Sequence, residues 1–227
     1  MSSTAAHREG SAPPKRDGAP SHTTLRNKVF ARLWKLIDAS VDEQIRSAKE
    51  DVLKDLPERI VEIGPGRGAN FSYYGDGTQV IAFEPNVLFH DDLIDAAADH
   101  GVALTLEGGD LTSGQLPSAS EDAIVSTLVL CSVGDVDAEL AEIRRVLRPG
   151  GRMVFIEHVA APQRSATALA QRVLRRPWRF FADGCDLCAG TREAIERAGF
   201  AKVDGQLKRL GPAADPSALT YWGHAER

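Results

Sequence analysis

The sequence predicts an α/β fold: a doubly wound, seven-stranded, mostly parallel sheet with an N-terminal helical cap. Three observations predict it. Short β-branched or apolar runs alternate with helical segments, as the crossovers of a parallel sheet require. One run, residues 123–130, is apolar on both faces, which is typical of a central strand covered on both sides. The chain's 227 residues are enough for one such domain and a cap.

Two segments precede the sheet domain. Residues 1–24 are rich in Ser, Ala, Pro and Gly, so we expect a disordered tail. Residues 25–56 carry apolar side chains every three or four positions, which predicts one or two helices. This cap covers an edge of the sheet, forms a lid over a substrate pocket, or lies on a membrane surface, since Phe30 and Trp34 stand among basic residues. The sheet domain takes residues 57–227.

Several bulk features exclude other classes. No apolar run reaches about 20 residues, so we expect no membrane-spanning helix. The N-terminus lacks the apolar core of a secretory signal, and the odd cysteine count of three fits a reducing compartment, so we expect a cytoplasmic protein. The net charge of −5 gives no positive field for nucleic acid.

The first strand, within residues 58–63, ends in a glycine turn. Gly64, Gly66 and Gly68 are spaced as G-x-G-x-G. Such a turn brings backbone N–H groups close to a ligand, because glycine has no Cβ. Dinucleotide-binding domains place the third glycine one position later, where this chain has Ala69, and a P-loop would need Lys before Ser or Thr. The turn therefore indicates a ligand site of another class.

The second strand, residues 79–84, ends in an acid. Glu84 lies twenty positions beyond Gly64, at the carboxyl end of the neighbouring strand. A carboxylate there can accept hydrogen bonds from both ribose hydroxyls of a nucleoside. The alternative is an exposed acid at a strand end. The distance from the glycine turn favours the ribose role.

A helix and a third strand follow. The helix, residues 86–100, is capped by Asn86 or Pro85. The strand, residues 103–107, leads into a glycine turn that contains Asp110. Its carboxylate could accept from an adenine amino group, while the N–H of the next residue, Leu111, donates to a ring nitrogen. The alternative is that Asp110 is an ordinary turn residue.

The second half of the sheet continues the alternation. The central run leads into Cys131, and a helix over residues 135–147 ends at the Arg-Pro-Gly-Gly stop of residues 148–151. The fifth strand then covers residues 151–159. The remaining predicted elements are a basic and apolar segment over residues 166–181, a helix over 191–198, and two edge strands over 201–210 and 219–224, which we expect to be antiparallel.

The chain resembles the methyltransferase-like 7, or thiol methyltransferase, family of the UbiE-type class I S-adenosylmethionine (SAM)-dependent methyltransferases. The resemblance covers almost all of residues 58–227. The glycine turn and the Arg-Pro-Gly-Gly unit indicate only a class I methyltransferase, whereas residues 127–133 and 157–161 and the Asp-Gly-Cys at 183–185 are more specific. The matching segments are residues 62–71, 84–86, 127–133, 145–151, 157–161, 171–174, 177–178, 183–187 and 196–200.

The resemblance implies SAM as the methyl donor and a small molecule, most simply a thiol, as the acceptor. Three features depart from the family. Pro65 and Arg67 replace small residues of the glycine turn, Glu84 stands where members can have Asp, and the hydrophobic N-terminal anchor of mammalian members is lacking. The implied cofactor-binding residues are Glu62, Gly64, Pro65, Gly66, Gly68, Glu84, Pro85, Asn86, Asp110, Leu111, Thr127 and Leu128.

Methyl transfer from SAM needs the donor and acceptor held in line, water excluded, and the acceptor deprotonated. A thiol, with a pKa of about 8.5, is partly ionised at neutral pH, so a strong base is not essential. His158, at the end of the fifth strand, is the candidate base or thiolate partner; the alternative is a histidine that bonds a backbone carbonyl. Asp183 is the second catalytic candidate, or a turn residue. Trp178 and Phe180 line an apolar acceptor pocket or pack in the core.

The cysteines predict no metal site. Cys185 and Cys188 are spaced as C-x-x-C, but a structural zinc ion would need two more ligands nearby. We therefore interpret them as ordinary thiols, and Cys131 as a small buried residue.

Three other functions remain open at this point. The methyl group could go to oxygen, nitrogen or carbon of a natural product, quinone or lipid, which would need a stronger base. The chain could be a nucleotide-dependent oxidoreductase, although its glycine spacing argues against that. It could also be a non-catalytic protein that binds SAM or docks on a membrane.

Overall fold

The computed structural model describes residues 24–114 and 116–227, so the predicted tail lies, apart from Thr24, outside the described residues. One seven-stranded sheet organises this part of the chain, in the order β3-β2-β1-β4-β5-β7-β6. The strands are β1 Arg59–Ile63, β2 Gln79–Phe83, β3 Ala103–Glu107, β4 Glu121–Thr127, β5 Leu147–His158, β6 Lys202–Arg209 and β7 Leu219–Glu226. The helices are α1 Leu25–Val52, α2 His90–Asp99, α3 Val136–Val146, α4 Ala166–Phe181 and α5 Thr191–Arg197.

The strand pairing confirms the predicted fold class. Strands β1 to β5 pair in parallel, and β7 lies antiparallel between β5 and β6. The strand order reverses at β1, whose neighbours are β2 on one side and β4 on the other. In open sheets of this kind, ligands bind outside the carboxyl ends of the strands at such a reversal. The glycine turn after β1 lies at that place.

Both faces of the sheet are buried. Ile60 of β1 packs in one apolar cluster with Ile45 and Val52 of α1. The adjacent Val61 points to the other face and packs with Ile143 of α3 and Ile195 of α5. Neighbouring residues of one strand thus serve opposite clusters, because side chains alternate across a strand. This explains why the central runs are continuously apolar.

Two strand boundaries differ from the prediction by three residues or more. Strand β4 ends at Thr127, not residue 130, because Leu128 adopts a positive φ of 58° and turns the chain. Strand β5 begins at Leu147 rather than at residue 151. Its first residue pairs with Glu121, and the next pair is Arg152 with Ala123, so the Arg-Pro-Gly-Gly segment bulges out of the ladder.

The helices also differ from the prediction in length. The N-terminal segment forms one helix that ends at Val52, within the predicted range of 25–56. A 3-10 turn at Phe71–Tyr73 follows the glycine turn. Another 3-10 turn at Val87–Phe89 precedes α2, and Asn86 caps that turn by accepting the Leu88 N–H, as one of the two predicted caps.

Helix α1 is buried only over part of its length. Thr24 and Asn27 form its capping box. Toward the C-terminal end Ile45, Ala48 and Val52 enter the core, whereas Leu36, nearer the N-terminal end, is 79% exposed. Among residues 24–114 and 116–227, neither α1 nor any other helix combines the length and the hydropathy needed to traverse a bilayer.

Candidate functional site

The glycine turn after β1 requires residues without a side chain at two of its positions. Gly64 has φ 56°, and a Cβ there would lie 2.6 Å from a methyl carbon of Val129. Gly68 has φ 83°, and its Cβ would lie 2.9 Å from that of Ala96 on α2. Either contact is too short for a real side chain, and the backbone region disfavours one. The turn therefore keeps its backbone close to α2 and to the segment after β4 only because both positions are glycine.

Glu84 joins the glycine turn to the end of β2. Its side chain is buried, with one carboxylate oxygen accepting the Gly66 N–H at 2.8 Å and the other accepting the Asn86 N–H at 2.7 Å. Burial raises the pKa of Glu84 to about 7, against the lowering effect of these two bonds. Each carboxylate oxygen has a second lone pair. The predicted ribose acid thus lies beside the glycine backbone and can accept further hydrogen bonds.

Glu62, on β1, lies beneath the turn. Its carboxylate accepts from the Asn70 amide at 2.7 Å and from the Tyr74 hydroxyl at 2.8 Å. Burial raises the pKa of Glu62 to about 7. The Asn70 amide also donates to the Thr127 hydroxyl at 3.0 Å. These bonds connect two predicted cofactor residues, Glu62 and Thr127, and support the turn from below.

Helix α1 covers this region. The indole nitrogen of Trp34 lies 3.9 Å from the place that a Cβ of Gly66 would occupy. Arg67 of the turn pairs with Asp38 of α1 and, at 3.0 Å, with Asp92 of α2. Lys35 of α1 pairs with the same Asp92 at 2.8 Å. Arg67 therefore connects the glycine turn to both α1 and α2.

Asp183 connects α1 to Asn86. Its carboxylate accepts from Arg26 Nε at 3.0 Å, from the Asn27 amide at 3.1 Å and from the Asn86 amide at 3.5 Å. The residue has φ 46°, in the left-handed region. Its catalytic role stays a prediction. Its observed contacts hold the N-terminal turn of α1 against the predicted ribose site.

The other predicted cofactor residues occupy varied positions. The Asp110 carboxylate accepts from Ser113 N–H at 2.9 Å and from the Thr112 hydroxyl at 3.0 Å, which is the geometry of a turn residue, while Leu111 is buried. Their adenine contacts stay predictions. Pro65 is buried and accepts the Gly68 N–H, whereas Pro85 is exposed.

Leu128 closes the end of β4. Its N–H donates to the carbonyl of Ile156 on β5 at 2.7 Å, and its positive φ directs the chain toward Cys131.

Glu157, near the end of β5, is fully buried. Its Oε1 accepts the Ser126 hydroxyl at 2.6 Å and the Val129 N–H at 3.2 Å. Burial raises the pKa of Glu157 to about 7. Its Oε2 has no hydrogen-bond partner within the described part of the chain.

A cluster of two thiols and an imidazole lies at the same edge of the sheet. The sulfurs of Cys131 and Cys185 are 3.3 Å apart, and the Cys185 sulfur is 3.7 Å from Nδ1 of His158. The bond with Cys131 and the nearby His158 lower the pKa of Cys185, while the pKa of Cys131 is raised. Burial lowers the pKa of His158, but the bond and charge of Cys185 outweigh burial and raise it. We refer to these three residues as the sulfur cluster.

Sequence reasoning missed this cluster. It compared Cys185 with Cys188, which is half-buried and lies outside the group, although both residues follow α4 closely. Asp-Gly-Cys among the resemblance segments was the one signal that pointed to Cys185. Phe180 is 43% exposed and so does not pack in the core, whereas Trp178 is half-buried, with its indole beside the Cys185 sulfur, whose pKa it helps to lower.

The chain is similar in sequence to known methyltransferases. A sequence profile described as "Methyltransferase domain" matches residues 61–155. "Thiol S-methyltransferase TMT1A" of Homo sapiens is 37% identical over 174 residues, which cover 71% of this chain and 71% of that protein. "Thiol S-methyltransferase TMT1B" of Mus musculus is 43% identical over 179 residues, covering 77% of this chain and 73% of that protein.

Solved structures support the fold. A SAM-dependent methyltransferase of Thermotoga maritima, described as a possible histamine N-methyltransferase, superposes with a TM-score of 0.60 at 18% identity, covering 88% of this chain and 99% of that one. A SAM-dependent methyltransferase of Aquifex aeolicus superposes with a TM-score of 0.56 at 15% identity, covering 89% and 98%. At such low identity these likenesses concern architecture alone.

Proposed function

Because the chain belongs to the thiol S-methyltransferase family of class I SAM-dependent methyltransferases, we propose that it transfers the methyl group of SAM to the sulfur of a small thiol. The observation that carries this proposal is the 37% to 43% identity to thiol S-methyltransferases over at least 71% of both chains. The geometry of the glycine turn and Glu84 supports a nucleoside-bearing donor at the sheet's reversal point.

The donor's nucleoside would lie across the carboxyl ends of the first three strands. In this arrangement the ribose hydroxyls donate to Glu84, whose carboxylate the Gly66 and Asn86 N–H groups already orient. Asp110 and Leu111, at the end of β3, would contact the adenine. A charged carboxylate makes stronger hydrogen bonds with hydroxyls than a neutral group does, so Glu84 would supply much of the donor's specificity.

The reaction itself is a displacement at carbon. The thiolate sulfur attacks the methyl carbon opposite the sulfonium, a sulfur–carbon bond forms, and the old bond's electron pair returns to the donor sulfur. The acceptor's proton must leave before or during this step. The products are a thioether and neutral S-adenosylhomocysteine. Since the sulfonium is already a good leaving group, alignment and supply of the thiolate are what the protein must contribute.

The acceptor would approach at the carboxyl ends of β4 and β5. His158 is half-buried at the end of β5, beside the loop that follows Leu128. We assign it the part of thiolate partner, the polar group that favours the ionised form of the acceptor. Trp178 on the neighbouring α4 would offer an apolar surface to the rest of the acceptor.

Helix α1 would act as a lid. It lies over Gly66 through Trp34 and is connected to the ribose site through Asp183 and Asn86. A lid that closes over the donor excludes water and holds the reacting atoms in line. In this proposal Asp183 is a positioning residue, since its carboxylate holds α1 and does not touch the reacting atoms.

Incubation with methyl-labelled SAM and a panel of thiols, phenols and amines tests the proposal, with products identified by mass. We expect labelled thioethers from the thiols alone. Methylation of phenols or amines without thiols would overturn the sulfur acceptor. SAM binding by calorimetry without transfer to any acceptor would favour a non-catalytic binding protein.

A further inference from the structure

The sulfur cluster is assembled from three separate segments. Cys131 follows β4, His158 ends β5, and Cys185 follows α4. One ligand atom from each, two thiol sulfurs and an imidazole nitrogen, lies within 4.8 Å of the other two. Both thiols are buried and His158 is half-buried. Three residues that are far apart in sequence thus direct soft ligand atoms at one point.

The spacing of these atoms suits a tetrahedral metal ion. With zinc–sulfur bonds of about 2.3 Å and zinc–nitrogen bonds of about 2.0 Å, neighbouring ligand atoms lie about 3.4 to 3.8 Å apart. The sulfurs of Cys131 and Cys185 are 3.3 Å apart, and the Cys185 sulfur is 3.7 Å from His158 Nδ1. The Cys131 sulfur and the imidazole nitrogen lie within 4.8 Å of each other, so an ion at the centre would need these two atoms to approach by up to about 1 Å.

The ligand types select the metal. Two thiolates and one neutral imidazole prefer a thiophilic divalent ion such as Zn²⁺ and disfavour Mg²⁺ or Ca²⁺, which take oxygen ligands. Two thiolates also neutralise the ion's charge, so that it can be held in a buried site. Other polar contacts of the Cys131 sulfur are long, at 3.8 Å to the Leu128 carbonyl and 3.9 Å to the Ser132 hydroxyl. The Cys131 sulfur thus has no short polar contact besides Cys185, while the Cys185 sulfur also lies beside the Trp178 indole.

We propose that Cys131, His158 and Cys185 bind a Zn²⁺ ion whose fourth position takes the acceptor's thiol sulfur. This inference rests on the proposed function. Structural zinc sites in proteins have four protein ligands, whereas catalytic sites have three and leave one position for water or substrate. His158 then favours the thiolate form of the acceptor through the metal it helps to hold.

The chemistry balances without an oxidant or reductant. Metal binding displaces one proton from each cysteine to solvent. When the acceptor's sulfur replaces water at the fourth position, its thiol releases its proton to the departing water and so to solvent, since a coordinated thiol is deprotonated. The bound sulfur then takes the methyl group, and the neutral thioether leaves because it is a weaker ligand than a thiolate. Water or the next thiol refills the position.

Metal analysis of the untagged full chain tests the site. We expect about one zinc ion per chain after purification under reducing conditions. The chelated protein, reconstituted with Co²⁺, should show the visible absorption of tetrahedral cobalt and a sulfur-to-cobalt charge-transfer band in the near ultraviolet. Less than about a tenth of an ion per chain, with no cobalt absorption, would overturn the proposal.

Variants locate the ligands. Cys131→Ser and Cys185→Ser should lower bound metal at least about tenfold, while the control Cys188→Ser keeps it. His158→Cys should keep the metal and strengthen the charge-transfer band, which a merely structural histidine would not do. SAM affinity, measured on each variant, reports folding. Equal loss of metal from Cys188→Ser, or an unchanged band in His158→Cys, contradicts the assignment.

Two further results separate this inference from the proposed function. Thiol methylation at full rate by the chelated, metal-free protein would overturn the metal's part and leave the methyltransferase proposal intact. A mass 2 Da below the reduced chain, with Cys131 linked to Cys185 and no metal bound, would show that the two thiols form a redox pair instead. Addition of a thiol to the cobalt protein should shift its visible bands, and the absence of a shift would refute binding at the fourth position.

Discussion

The carboxylate of Glu84 accepts the backbone N–H of Gly66 at 2.8 Å, so that the acid at the end of β2 and the glycine turn after β1 form one unit. The two residues are eighteen positions apart. They meet because β1 and β2 pair in parallel and in register, with Ile63 opposite Phe83. The bond orients the carboxylate before any ligand arrives, and preorganised acceptors bind more tightly because less order is lost on binding.

Replacement of Glu84 should weaken donor binding. We expect Glu84→Ala to lower SAM affinity by about tenfold or more, since a hydrogen bond to a charged group contributes about 1.5 kcal/mol or more. Calorimetric titration measures it. The matched control is Glu107→Ala, which removes the acid at the end of the next strand. Equal losses in the two variants would argue against a ribose contact by Glu84.

Donor affinity should also depend on pH. The pKa of Glu84 is raised from 4.5 to about 7 by burial, and the ribose hydroxyls donate to the ionised form. SAM affinity should therefore rise as the pH passes upward through about 7 and then level off. The stability of the free protein depends on pH in the opposite direction. The contribution of Glu84 to the free energy of unfolding is complete below pH 4.5 and is lost as the pH rises through about 7. Titrations at several pH values should give a flat profile for Glu84→Gln, and a profile like that of the wild type would contradict the assignment.

Gly64 should not tolerate a side chain. In Gly64→Ala the new Cβ would lie 2.6 Å from Val129, at a φ of 56° that L-residues disfavour. We expect a loss of about 1 to 3 kcal/mol in the free energy of unfolding, together with weaker SAM binding. Denaturant unfolding measures the first effect. Gly134→Ala is the control, because its Cβ would meet nothing within 4 Å. Similar stability of both variants would show that the turn is not constrained as described.

Loss of the Asp183 carboxylate should make the N-terminal part of α1 more mobile. Asp183→Ala removes the acceptor of Arg26, Asn27 and Asn86. We expect faster amide hydrogen exchange in residues 25–37 and about threefold to tenfold faster SAM dissociation, since Arg26 is half exposed and its pair is partly screened. Asp137→Ala, which breaks an exposed ion pair with Arg197, is the control. Unchanged exchange in α1 would refute the lid.

Removal of the imidazole should affect turnover more than donor binding. His158→Ala is expected to lower kcat for a thiol by at least about tenfold while SAM affinity stays within about twofold. Steady-state rates and calorimetry on the same preparation separate the two quantities. A parallel fall in turnover and SAM affinity would indicate that His158 supports the fold and does not serve the acceptor.

The fold class was predictable because its signals are local. Ile60 and Val61 pack on opposite faces of the sheet because side chains alternate along a strand. The apolar run of β4 indicates that both faces of this strand are covered. The boundaries were less predictable. Leu128 ends β4 through a positive φ, which a leucine in the sequence does not indicate. The bulge before Arg152 depends on the pairing of Arg152 with Ala123 on the neighbouring strand.

The sequence by itself determined the parallel sheet, the glycine turn and the acid at the end of β2, because strand periodicity and the absence of a Cβ act within a few residues. Only the tertiary structure decided which groups meet across the site. Parallel pairing of Thr127 with Ile156 places the segments after β4 and β5 side by side. The segment after α4 then brings Cys185 into contact with Cys131. Asp183 likewise became a link to α1 through contacts with residues over 150 positions away. Such meetings depend on the packing of the whole domain, which no local pattern encodes.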